Sequence, residues 1–262
     1  MKFILMCGGK YKDFETPKQL SIVKGERIVD RTIRLLKENG VKEIYISSNN
    51  PLFDSCNAIR LENKENNFTQ KEKETIGYWL DAFYPINEEV CYIFGDVYFT
   101  EEAIKTIVNY KTNKNILFGT SDALNNYHNN WGEPFAYIVK DYKTFFKGIK
   151  EVKTMYDKGL IKRHPIVWEL YRYLHNIDIN TQRIVGDYVC IDDGTIDIDN
   201  PKQVIEMNKE WYTMPFKSQA QRKWAYTKEG TRALGGKKAV QEWEKATGNK
   251  KLPKYTPKPK KK

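Results

Sequence analysis

A chain of 262 residues, 40% of them hydrophobic, can build one sizeable core plus an appendage. No apolar stretch approaches the roughly 18–20 residues that cross a bilayer as a helix, and the short apolar run after Lys2, cut off by two glycines and a charged loop, does not read as an export signal. The net charge of +10 is uneven: 15 of the 44 Lys and Arg but only 3 of the 34 Asp and Glu fall in residues 213–262, so the rest is near neutral and the chain reads as two functional units.

In chain order, residues 2–7 form a buried strand, Phe3-Ile4-Leu5-Met6-Cys7, that stops at Gly8-Gly9. A polar loop follows and closes on Pro17-Lys18-Gln19-Leu20. Residues 27–38 read as a helix with Val29, Ile33 and Leu36 on one stripe and Gly40 past its end, and 42–47 return as a parallel strand. A helical pattern spans 72–83, then a buried strand over 89–95 ends at Asp96, and Thr100-Glu101-Glu102 opens a further helix with a cap and acids in its first turn. Strands over 115–119 and 134–140 flank a polar, aromatic loop at 120–133. Helices follow at 142–157 and 165–175, the second with Pro165 as its first helical residue. A strand at 184–192 and the short extended Asp197-Ile198-Asp199 precede a helix capped by Asn200-Pro201 that runs through Trp211, with Asp199 as an additional capping candidate. This alternation predicts an α/β fold: a mixed, mostly parallel sheet with helices on both faces, over residues 1–212.

Beyond it, residues 213–248 read as a small basic helical hairpin. Ser218 caps a helix with Ala220 and Trp224; a second helix carries Ala239, Val240, Trp243 and Ala246; Trp224, Leu234 and Trp243 stitch them together. The Lys/Pro tail at 249–262 cannot bury a core and is expected to be disordered. Cys7, Cys56, Cys91 and Cys190 contain no Cys-x-x-Cys pair and read as small, buried, reduced thiols of a cytoplasmic protein. His128, His164 and His175 lack the spacing of a zinc site or a Ser-His hydrolase.

Three segments carry the chemistry. Glycines at the end of the first strand let backbone N–H groups approach a ligand, and Lys18 supplies a point charge suited to phosphate. In a parallel sheet the carboxyl ends of neighbouring strands meet at one crevice, so Asp96 and Asp197 can share one Mg²⁺, which completes its shell with water and phosphate oxygens. In the 120–133 loop, Ser121, Asp122, Tyr127, His128, Trp131 and Glu133 suit a sugar or polyol acceptor, and Arg163 with His164 suits an acceptor phosphate, with a solvated helix start as the alternative for Arg163 and a structural role for Glu169.

Cys7-Gly8-Gly9 through Pro17-Lys18-Gln19-Leu20, then Gly25-Glu26-Arg27-Ile28 and Gly40-Val41-Lys42-Glu43-Ile44-Tyr45-Ile46, resembles the opening of the sugar-phosphate nucleotidyltransferase family. Gly95-Asp96-Val97-Tyr98-Phe99 is similar to that family's metal-aspartate segment, and Asp197-Ile198-Asp199-Asn200-Pro201 to its late acidic segment, so the resemblance covers about residues 1–211. It implies a GT-A-like fold and a Mg²⁺-dependent reaction of a nucleoside triphosphate with a phosphorylated acceptor. By position, Gly8 and Gly9 would contact the nucleotide, Lys18 its phosphate, and Asp96 and Asp197 the metal. Base choice would fall to the backbone near Met6-Cys7 and Ser47-Ser48. The chain departs from the family in reading Gly9-Lys10-Tyr11-Lys12-Asp13 where a second glycine and an arginine are usual, which leaves Lys10 or Lys12 to carry the arginine's charge without its bidentate fork.

Residues 214–255 are similar to a short module at the ends of some phage-encoded proteins, which implies a phage origin and a host-cytoplasm or virion location. The basic tail would bind nucleic acid by counterion release, or dock on a virion protein. Two other readings stand beside the nucleotidyltransferase: a GT-A glycosyltransferase using a nucleotide sugar, against which the single acid of Asp96-Val97-Tyr98 counts, and a non-catalytic binding protein built on a transferase fold.

Overall fold

The computed structural model describes residues 1–8, 13–63, 78–121, 132–181, 184–212, 216–234 and 236–255. The chain divides into two units, Met1–Leu20 with Ile28–Asp199, and Ser21–Arg27 with Asn200–Lys262. Among the described residues no helix is long and apolar enough to cross a membrane.

In chain order the strands are β1 (Lys2–Met6), β2 (Ile22–Val23), β3 (Glu26–Arg27), β4 (Ile44–Ser47), β5 (Ile59–Leu61), β6 (Val90–Phe94), β7 (Val97–Tyr98), β8 (Ile116–Gly119), β9 (Pro134–Val139), β10 (Tyr188–Cys190) and β11 (Ile196–Asp197). The helices are α1 (Ile28–Glu38), α2 (Glu101–Asn109), α3 (Tyr142–Asp157), α4 (Val167–Leu174), α5 (Pro201–Tyr212), α6 (Gln219–Ala225), α7 (Lys228–Ala233) and α8 (Lys237–Thr247).

The first unit is built on a seven-stranded mixed sheet in the order β10-β8-β9-β6-β1-β4-β5. β1 pairs in parallel with β4 and β6, β4 with β5, and β10 with β8; β9 alone runs the other way, antiparallel to β6 and β8. The mixed, mostly parallel α/β fold is therefore as expected. β6 is buried at every position, as is β1 after Lys2, which is why they read as unbroken apolar runs rather than alternating ones. α1 buries Val29, Ile33 and Leu36 against the core, the stripe its periodicity predicts, and Leu35 joins them; Ile28 and Thr32 are buried as well. Thr100 caps α2 by accepting a hydrogen bond from the Ala103 N–H at 3.0 Å. An aromatic group fills the core, with Phe145 edge-on to Phe83 and Tyr137 at 5.1 Å between ring centres.

Several boundaries differ from expectation. α4 begins at Val167, with Ile166 as its cap, because the Glu169 carboxylate accepts the Ile166 N–H at 2.9 Å and fixes the first turn there; Pro165 stays outside. Of the helix expected over 72–83, residues 72–77 lie outside the described residues, and the rest is a short 3₁₀ turn at Trp79–Ala82. Three cysteines are buried thiols, but Cys190 is exposed at the end of edge strand β10.

In the second unit the β2–β3 hairpin is clamped to α5 by the buried Asn208, whose Oδ1 accepts the Lys24 N–H (2.7 Å) while its Nδ2 donates to the Ile22 carbonyl (2.9 Å). Asn200 caps α5 reciprocally: its Oδ1 accepts the Gln203 N–H and its own N–H donates to Gln203 Oε1. Ser218 caps α6, as expected. Three helices stand where a hairpin is predicted, around a core of Phe216, Ala225, Leu234, Val240 and Trp243. Trp224 is not part of it: Ala225 turns inward, so the neighbouring Trp224 points out and is 41% exposed. Of the stretch predicted to be disordered, residues 249–255 are described, with Leu252 packed on this core; residues 256–262 lie outside the described residues.

The close approach of β1 and β6 requires Gly95. A Cβ there would lie 2.5 Å from Cys7 Sγ and 2.7 Å from the Met6 carbonyl oxygen, which already accepts the Gly95 N–H. Gly95→Ala is expected to cost about 1–3 kcal/mol of stability, read as a lowered urea midpoint; an unchanged midpoint would contradict this packing.

Candidate active site

The carboxyl ends of β1 and β6 and the amino end of the reversed β9 share one edge of the sheet, which brings Gly8, Asp96 and Glu133 together. The other two acids, Asp197 and Asp199, arrive by way of a two-residue ladder. β11 pairs antiparallel with β7, Asp197 opposite Val97, and the Ile198 N–H donates to the Asp96 carbonyl at 3.1 Å. The ladder is held at its side by Thr100, whose N–H donates to Thr195 Oγ1 (3.2 Å) and whose hydroxyl donates to Asp193 Oδ2 (2.5 Å). Strand alternation buries Ile198 completely on one side, while Asp197 and Asp199 both line the pocket.

Lys18 meets these acids from the turn Lys18–Leu20, which follows Pro17 and is closed by the Leu20 N–H on the Pro17 carbonyl. Its Nζ lies 2.7 Å from Asp96 Oδ2 and 4.0 Å from Asp197 Oδ1. Burial works to lower the Lys18 pKa, but the charges of Asp96, Asp197 and Asp199 outweigh it and hold the ammonium above its ordinary range. Burial, then the charge of Asp96, pushes Asp197 well above the usual carboxylate range against the opposing pull of Lys18. Burial, followed by Asp199 and Asp96, pushes Glu133 up to about 7.

These groups line a cavity of about 510 Å³. Among the described residues its polar wall carries four carboxylates (Asp96, Glu133, Asp197, Asp199) and two cations (Lys18, Arg163). The opposing chemistry is apolar and aromatic, including Trp79, Phe94 and Trp168. Arg163 is not a freely solvated helix-start residue: its Nε donates to Glu169 Oε1 at 2.8 Å, and the buried Glu169 also accepts from the buried Arg172 at 3.2 Å.

Among the described residues no cluster of three or more His, Cys, Asp or Glu is arranged to hold a metal ion. The pair Asp96 and Asp197 nonetheless fits Mg²⁺, which takes one or two carboxylates and fills its shell with water and phosphate oxygens. Two carboxylates converge on the Lys18 ammonium, and among the described residues of the wall acids outnumber cations.

Of the residues singled out from sequence, Gly8, Lys18, Asp96, Glu133, Arg163 and Asp197 line this cavity. Gly9, Lys10, Lys12, Tyr127 and Trp131 lie outside the described residues. Cys7 is fully buried, its thiol pushed well up by burial and then by Asp96, so it offers no nucleophile. Ser47 is buried at the end of β4 and does not line the cavity; its carbonyl accepts the Cys7 N–H, and its hydroxyl has no hydrogen-bond partner among the described residues. Asp199, expected as a helix cap, lines the cavity instead, and its period-2 spacing from Asp197 is the signal for that. Sequence reasoning missed Trp79 and Trp168, which stand in segments with no motif.

No protein-family model matches the sequence, and neither does any curated protein. Among solved structures, a Bacillus anthracis protein assigned as a glucose-1-phosphate thymidylyltransferase, in complex with sucrose, is similar over 83% of this chain and 98% of its own, at 17% identity and a TM-score of 0.51. The inositol-1-phosphate CTP transferase of T. maritima aligns over 79% of this chain and 96% of its own, at 13% identity and a TM-score of 0.47. The first of these likenesses shows the fold.

Lys18 and a divalent cation would compete for the same two carboxylates. Lys18→Met is therefore expected to tighten Mn²⁺ binding roughly tenfold in a calorimetric titration; weaker or unchanged binding would contradict a shared site. A second test concerns Glu133. Because the folded state holds its proton more tightly than the unfolded chain, stability falls as pH rises from about 4.5 to about 7. In metal-free buffer the wild-type melting temperature should drop more across that window than that of Glu133→Gln, and parallel curves would refute the assignment.

Proposed function

We propose that the protein is a Mg²⁺-dependent nucleotidyltransferase that joins a nucleoside triphosphate to a phosphorylated sugar or similar small acceptor and releases pyrophosphate. The observation that carries this reading is the convergence of Lys18, Asp96 and Asp197 in a cavity at the strand-end edge of the sheet. The fold, similar to that of a protein assigned as a sugar-phosphate thymidylyltransferase, supports it.

In the reaction an acceptor phosphate oxygen forms a bond to the α-phosphorus, the bond from that phosphorus to the bridging oxygen breaks, and the electron pair leaves with pyrophosphate. Little covalent work falls to the protein; it positions the reactants and neutralises charge. Bound through Asp96 and Asp197, Mg²⁺ would draw negative charge off the phosphate oxygens. Lys18 keeps its proton and offers a fixed positive charge to the triphosphate. The backbone at Gly8 admits phosphate closely. Arg163, braced by Glu169, offers a cation to the acceptor phosphate, and Glu133 accepts from the hydroxyls of the acceptor's sugar or polyol part. The half-buried Trp79 offers apolar surface for a base or a sugar ring, and the buried Trp168 backs the cavity wall.

A thermal-shift screen of the four nucleoside triphosphates and of nucleotide sugars, each with and without Mg²⁺, comes first, followed by pyrophosphate release with sugar-1-phosphate and amino-alcohol phosphate acceptors. A triphosphate is expected to raise the melting temperature in a Mg²⁺-dependent way. Asp96→Asn and Asp197→Asn should each lower turnover by about 10²-fold or more while leaving the circular dichroism unchanged. Stabilisation by nucleotide sugars alone, or no pyrophosphate with any acceptor, would overturn the reading.

A further inference from the structure

The C-terminal helices carry a second feature, independent of the cavity chemistry. Lys217, Arg222, Lys223, Lys228, Lys237, Lys238, Lys245, Lys250, Lys251 and Lys254 are all exposed, against three acids in the same stretch, Glu229, Glu242 and Glu244. Glu244 is already engaged: Arg222 pairs with it through two nitrogens, and the Tyr226 hydroxyl donates to it at 3.1 Å. Large aromatic side chains stand exposed among these cations, Trp224 at 41%, Tyr226 at 58% and Tyr255 at 65%.

Their placement is built rather than incidental. The chain returns along α6, where the Gln219 N–H donates to the Pro253 carbonyl (2.9 Å) and the Ala220 N–H to that of Lys254 (3.2 Å). This pairing sets Lys254 and Tyr255 beside the helix that carries Lys223 and Trp224, with Lys254 Nζ 5.6 Å from the Tyr255 ring centre. It also occupies N–H groups at the start of α6, so the helix terminus is not the recognition element. Gln219, Arg222, Lys223 and Tyr226 line a shallow depression of about 350 Å³ on the same helix.

We propose that the exposed surface around α6 and residues 252–255 binds single-stranded nucleic acid, with Tyr226 on the side of the depression and Trp224 round the helix from it. Lysines meet the phosphates, with affinity that comes from counterion release. Exposed rings give flat platforms for unpaired bases, a contact that tolerates any sequence. A duplex keeps its bases stacked on one another and leaves such rings without partners, and an acidic protein surface offers them no flat face. Charge complementarity names a polyanion; the aromatic rings among the charges select the one that carries bases.

The test uses the full chain with a fluorescein-labelled 12-nucleotide oligothymidylate, a duplex of the same length, and heparin as a polyanion without bases, each titrated at several salt concentrations. Oligothymidylate should bind more tightly than the duplex and weaken as salt rises. Trp224→Ala and Tyr226→Ala should each weaken oligothymidylate binding about 5- to 100-fold and leave heparin binding unchanged. Lys223→Ala and Lys254→Ala should weaken both ligands and flatten the salt dependence. These side chains are exposed, so the fold should survive, and circular dichroism checks it. Absence of oligonucleotide binding, or binding of all three polyanions with equal strength and no response to Trp224→Ala, would overturn the proposal; the second outcome would point to a general polyanion or acidic-protein surface.

Discussion

The ladder between β7 and β11 is the constraint on which the site depends. It is only two residues long on each strand, yet it places an acid from the end of a late segment beside one from the end of a central strand. So short a pairing cannot hold its register alone. The Ile198 N–H on the Asp96 carbonyl extends it, the completely buried Ile198 anchors its apolar side, and the Thr100, Asp193 and Thr195 bonds hold its flank. A one-residue slip would turn Asp197 and Asp199 inward and Ile198 into the cavity, at the cost of two buried charges.

Once the acids are together, electrostatics governs what they do. Carboxylates gathered in a partly dehydrated cavity repel one another, and a cation must answer them. Among the described residues Lys18 is the cation nearest Asp96, following Pro17 in the turn Lys18–Leu20. Arg163 contributes less, because Glu169 already takes part of its charge. Among the described residues the wall carries more acids than cations, the balance that the proposed divalent ion would answer, and the half-buried Trp79 adds apolar surface to it.

Much of this was legible in the residues. Runs such as Val90–Phe94 announce strands buried on both faces, and Asp96 follows at the point where such a strand must open to solvent. The helix α1 and the caps Thr100, Asn200 and Ser218 follow from side-chain chemistry that acts over a few residues. What stayed hidden depends on long-range packing. The reversal of β9, which delivers Glu133 to the cavity, leaves no local mark. The start of α4 was set by Glu169 rather than by Pro165, and the outward turn of Trp224 by the inward turn of its neighbour. Asp199 carries two local signals at once, its alternation with Asp197 and its place just before α5, and the first is the one the fold uses.

The central claim is that Asp96 and Asp197, a hundred positions apart, act as one cation site. A double-mutant cycle on Mn²⁺ affinity, with Asp96→Asn, Asp197→Asn and the pair, measures this directly. A shared site requires each single change to remove most of the binding, with the double change adding little to either. Losses that simply add, or a single variant that binds Mn²⁺ as the wild type does, would contradict it.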